Sequence, residues 1–117
     1  MSNDKQFTTG FRNLGQPRSA YGQDMAAHGT KWKFENGWTV SIQLGDVLYS
    51  DGVYDPEQGI MEADTAEVGI FDHDGAWVHA EGYDQVFPYL TSNQVAQLVA
   101  MAANGDRAGI IRFQEER

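Results

Sequence analysis

Cysteine is absent from this chain of 117 residues. Disulfides and thiolate metal sites are therefore excluded, and a reducing compartment is the natural setting. Long apolar runs are missing too. No stretch approaches the ~18 consecutive apolar residues that mark a membrane span. The N-terminus, MSNDKQFTTG, has no apolar core of the kind a secretory leader needs. A cytoplasmic protein is expected. The third absence is of positive charge: residues 34–106 contain no Lys or Arg over 73 positions.

That same stretch carries 13 acidic side chains and dominates a formal net charge of −9. Residues 1–33 sum to +3 and residues 107–117 to +1. A long field of one sign repels nucleic-acid backbone and anionic membrane, and it attracts basic surfaces. Direct nucleic-acid binding would need a basic patch, and only the two ends of the chain offer one.

The length fits one domain with one core. Residues 1–29 are expected to form an irregular N-terminal arm with a helical turn near residues 22–28, and residues 30–117 a single α+β domain. Apolar residues alternate through Trp32 and Phe34, then through Trp38, Val40, Ile42 and Leu44. This is strand periodicity on both sides of Glu35-Asn36-Gly37. A two-residue Asn-Gly turn would split the large side chains between both faces. A three-residue loop pairs Phe34 with Trp38 and Trp32 with Val40, puts them on one face, and gives Gly37 a left-handed conformation. The acidic, Gly-containing run 45–64 reads as a long loop with a turn at Asp55-Pro56.

A second hairpin is expected around residues 72–75. A loop of residues 73–75 pairs Phe71 with Trp77, Ile70 with Val78 and Val68 with Ala80. Thr91 followed by Gln94 is a capping box. Val95, Leu98, Val99 and Ala102 then form an i, i+3, i+4, i+7 stripe, and Gly105 ends the helix. Residues 107–113 read as a short final strand, with Ile111 and Phe113 inward, or as a tail pinned at the sheet edge. The expected fold is α+β: an antiparallel sheet of about four strands with one C-terminal helix packed on one face.

No motif announces chemistry. His28, His73 and His79 lack metal-ligand spacing. Acids at 51, 55, 57 and 62 suggest a calcium loop, but Pro56 stands where an EF-hand requires Gly. Ser19, Ser41, Ser50 and Ser92 lack a nucleophile-elbow context, and no glycine-rich phosphate loop is present. No cofactor, metal or catalytic residue is assigned. Tyrosines set among carboxylates do form the composition of a protein-binding surface aimed at Arg and Lys. The expected partner-binding residues are Asp46, Tyr49, Asp51, Tyr54, Asp55, Glu57, Glu62, Asp64, Glu67, Asp72, Asp74 and Tyr83.

The run Trp32-x-Phe34-x-Asn36-Gly37-Trp38-x-Val40-Ser41 and the later run from Asp84 to Val95 resemble small phage- or mobile-element-encoded accessory proteins of undetermined function. The likeness spans residues 31–104. It implies a host-interaction or accessory role in the host cytoplasm, including inhibition of a bacterial defence complex; separately, acids spaced on a rigid β framework can imitate the phosphates of nucleic acid. The function expected is a non-enzymatic acidic protein that engages a basic surface of a host macromolecule, such as a nucleic-acid-binding defence protein. The alternatives are a structural subunit that forms homo-oligomers and a small carboxylate-dependent hydrolase.

Overall fold

The computed structural model describes residues 9–14, 18–19, 26–45, 51–55 and 57–117. The larger sheet is antiparallel and five-stranded. Its members are β2 (Arg18–Ser19), β3 (Ala26–Lys33), β4 (Thr39–Gly45), β7 (Ala66–Phe71) and β8 (Val86–Leu90), side by side in that order. A smaller antiparallel sheet has β6 (Ile60–Ala63) between β1 (Phe11–Leu14) and β5 (Val53–Asp55). Two helices, α1 (Ser92–Ala103) and α2 (Arg107–Glu115), complete the chain. The α+β fold, with its C-terminal helical region packed on one face of an antiparallel sheet, is the one expected. The second sheet and second helix are additions to it. Among the described residues no helix is long and apolar enough to cross a membrane.

The first hairpin has the three-residue loop that the apolar pattern requires. Trp32 faces Val40 and Lys33 faces Thr39, while Phe34 N–H donates to Trp38 O at 2.9 Å. Gly37 has φ 88°, where a Cβ would also stand 3.1 Å from His73 Cβ. The second hairpin turns as expected too. Phe71 bridges Trp77, and Val78 N–H donates to Ile70 O at 2.8 Å. Its return arm then leaves the sheet. Val68 is paired with Phe87 of β8, not with Ala80, because β8 takes the edge of β7 that a longer hairpin would have used.

Three other expectations are overturned. Residues 107–113 form helix α2, not a strand. Asp106 caps it by accepting from Gly109 N–H at 2.9 Å, and Ile110 and Gln114 are buried one turn apart. The acidic run is not one long loop, because β5 and β6 pair Val53 with Glu62 and Asp55 with Ile60. Strands also begin before Lys31: β1, β2 and the start of β3 fall in the segment expected to be irregular, and Ala26 and Ala27 belong to β3. The remainder of that arm, residues 46–50 and Pro56 lie outside the described residues.

The core lies between the larger sheet and the helices. Val40, Val68, Ile70, Phe87, Leu90, Leu98 and Ile110 are fully buried in it. Helix α1 is held at both ends. At the start, Thr91 Oγ1 accepts from Gln94 N–H at 3.2 Å and Gln94 Oε1 accepts from Thr91 N–H at 3.0 Å. At the finish, Gly105 (φ 64°) and Asp106 donate back to Ala102 O and Met101 O at 3.0 and 2.9 Å. This is a Schellman ending. Asn36 of the first hairpin adds bonds from Nδ2 to Ala102 O and Ala103 O. The loop that turns the hairpin thus also closes the helix.

Candidate functional site

The described acids among the expected partner-binding residues, Glu67 apart, fall into two groups. The first surrounds the smaller sheet. Asp51 Oδ1 accepts from both N–H and Oγ1 of Thr65, at 2.9 Å each, tying the segment before β5 to the β6–β7 connection. Asp55 Oδ1 accepts from Glu57 N–H at 2.9 Å and shapes the tip of the β5–β6 hairpin. Glu62 takes Arg12, its neighbour across β1 and β6, at 2.6 Å. Asp64 and Glu57 are exposed.

The second group, Asp72 and Asp74, sits at the tip of the second hairpin. It lies at the far end of the larger sheet from the first group. Gly52 approaches Gly45 so closely that a Cβ would come within 2.9 Å of Gly45 N, which puts the smaller sheet at the C-terminal end of β4. His73 meets Gly37 at the other end. The seven residues of β4 between them span roughly 20 Å. Glu67 is the second residue of β7, opposite Gln43 at the last register pair of β4 with β7. Tyr83 is 48% exposed in the connection before β8 and joins neither group. Asp46, Tyr49 and the side chain of Tyr54 lie outside the described residues.

Asp72 does a structural job at its position. Its carboxylate is buried and accepts from Asp74 N–H, Ala76 N–H and the Arg107 guanidinium at 2.9, 3.0 and 2.8 Å. The Arg107 hydrogen bond holds the Asp72 carboxyl below its usual range, and the two backbone donors act in the same direction against the effect of burial. Arg107 also lies 5.3 Å from the centre of the Trp38 ring. The first hairpin, the second hairpin and the start of α2 are therefore locked together by a few groups. A second such clamp is Gln114. Its Oε1 accepts from Ala80 N–H at 2.6 Å and its Nε2 donates to Asp84 O at 2.9 Å.

Among the described residues, no three His, Asp or Glu side chains gather in a way that could hold a metal ion. His73 is exposed beside Asp74, at 3.4 Å, and His79 Nδ1 is 2.9 Å from Ala80 O. Neither is set against a nucleophile.

A feature that the motif search missed is an apolar groove of about 450 Å³ between α1 and the β3–β4 side of the larger sheet. Val95, Ala96, Val99 and Ala100 form one wall, and Trp32, Ile42 and Leu44 form the floor. Phe11 of the smaller sheet closes one end. Trp32 shares a face with the core yet is 48% exposed, because among the described elements α1 packs mainly on β4, β7 and β8 and not on β3. Two signals for this groove stand in the sequence: the thin polar edge of α1, with Ala96, Ala100 and Ala103, and a tryptophan on the first strand of the hairpin. The chain matches no protein-family model, no curated protein and no solved structure.

Proposed function

We propose that this is a non-enzymatic binding protein that engages a basic surface on another macromolecule. One observation carries the reading: 73 consecutive residues without Lys or Arg hold 13 acids. Most of these remain directed to solvent in the folded chain. Glu35, Asp51, Glu57, Asp64, Asp74, Glu81, Asp84 and Asp106 are exposed. Glu62 and Asp72 instead balance Arg12 and Arg107 within the fold. A surface of this kind raises the encounter rate with a cationic partner and disfavours polyanions.

The test separates acids that hold the fold from acids that face outward. Glu57, Asp64, Glu81 and Asp84 are replaced by Gln or Asn, leaving Asp51, Glu62 and Asp72 in place. Wild type and variant are then used to capture partners from a lysate and titrated against each captured basic protein. Affinity should fall in the variant at about 50 mM salt and converge with wild type near 500 mM, where screening has removed the long-range attraction. Equal affinities at low salt would show that the acids serve solubility alone.

A further inference from the structure

The groove beside α1 has the form of a vacant place in a helical layer, and we infer that it receives an amphipathic, cationic helix of a partner protein. This inference rests on the acidic-binding reading above and names the contact through which that binding becomes specific. Three observations point to a helix. Ala96, Ala100 and Ala103 follow one another at i, i+4 and i+7 on the exposed side of α1, so a second backbone can approach closely, near the 8 Å limit of helix pairs. The floor offers Trp32 and Ile42, which a flanking helix would cover as α1 covers β4 and β7. The α1 residues that line it run from Ser92 to Ala100, about 13 Å, so about two turns of a partner would fit along it.

Charge selects the occupant. No residue of α1 is charged, and among the described residues no charged side chain lines the groove. Exposed acids neighbour the elements beyond it. Asp64 follows Ala63, the register partner of Phe11, and Glu35 precedes Asn36, which bonds the last carbonyls of α1. Lys31 and Lys33 alternate with Trp32 and so project from the opposite face of β3. A helix with an apolar stripe and Lys or Arg on its flanks matches this arrangement. A second copy of this chain does not, since it brings another net charge of −9.

The experiment uses the full chain and three synthetic 18-residue peptides. The first is an amphipathic helix with Leu at i, i+3, i+4 and i+7 and Lys elsewhere. The second keeps the Leu stripe and replaces Lys by Glu. The third scrambles the first, keeping its charge and losing its stripe. Binding is read by peptide fluorescence anisotropy, and by a blue shift of tryptophan emission that Trp32→Phe should abolish. At about 50 mM salt the lysine helix should bind at least about tenfold more tightly than either control. The double variant Ala96→Gln/Ala100→Gln should weaken it about tenfold with no change in net charge, and an unchanged urea midpoint shows that this variant folds. If the scrambled lysine peptide binds as well as the helix and ignores the double variant, the acidic reading stands and the groove assignment is overturned. If neither lysine peptide binds, both fail. Equal binding of the glutamate helix overturns the cationic partner. A dimer that the double variant dissociates overturns it too, by placing a second copy in the groove.

Discussion

Gln114 shows how much one buried polar side chain can hold. It is the only contact described here that ties the end of α2 to both Ala80 and Asp84. Gln114→Leu fits the space but leaves the Ala80 N–H and the Asp84 carbonyl without their partner. A loss of about 1–3 kcal/mol is expected, because the buried donor keeps its full desolvation cost. Urea melts at constant slope measure it, and an unshifted midpoint would mean that the 81–85 connection is held by other contacts. Gly37→Ala should cost about 1 kcal/mol or more, since the residue needs positive φ and has His73 against it; thermal and urea melts should agree on that loss. Asp72 supplies a pH dependence. The unfolded chain protonates this carboxyl near its ordinary value of 3.8, while the folded chain keeps it charged to lower pH. Its contribution is therefore full above the ordinary range and is lost as pH falls through the lowered folded value. Arg107→Gln should flatten this part of the acid limb in urea midpoints measured from about pH 7 to about pH 2. An acid limb identical to wild type would remove Asp72 from the account.

At the scale of elements, α1 is specified redundantly. Leu90 and Val95, at the two staple positions, are both buried, and the capping box is formed in both directions. Leu98→Ala should destabilise by about 2–5 kcal/mol, as Leu98 is fully buried between helix and sheet. Thr91→Ala should cost about 1 kcal/mol. A neutral Leu98→Ala in denaturant melts would contradict the packing of α1. Helix α2 was harder to read because Ile110, Ile111 and Phe113 satisfy a strand period as well as a helical one. The deciding groups are polar: Asp106 as cap and Gln114 facing inward, a pairing that hydrophobic periodicity does not register. The β5–β6 hairpin was hidden for a related reason. Its strands are three and four residues long, and much of what stabilises them comes from β1, fifty residues away in the chain.

For the whole molecule, the charge distribution yields a prediction independent of any partner. Neutralising Glu57, Asp64, Glu81 and Asp84 should leave stability within about 0.5 kcal/mol per site, or raise it as self-repulsion falls. Melts at low and high salt test this, with the difference between wild type and variant shrinking as salt rises. A large loss at every salt concentration would mean that these acids hold the fold. The sequence by itself determined the α+β class, both hairpin turns, the capped helix and the acidic stretch. The turns and the helix are each encoded within about a dozen neighbouring residues, through period and turn chemistry, while the class and the acidic stretch follow from the order of such segments and from composition. Only the tertiary structure decided the rest. It set Asp72 against Arg107, closed α1 with Asn36, paired β7 with β8 in place of a longer hairpin, and packed α1 mainly on β4, β7 and β8. These depend on contacts between residues far apart in the chain, whose free energies compete with the local preferences and whose partners no local pattern names.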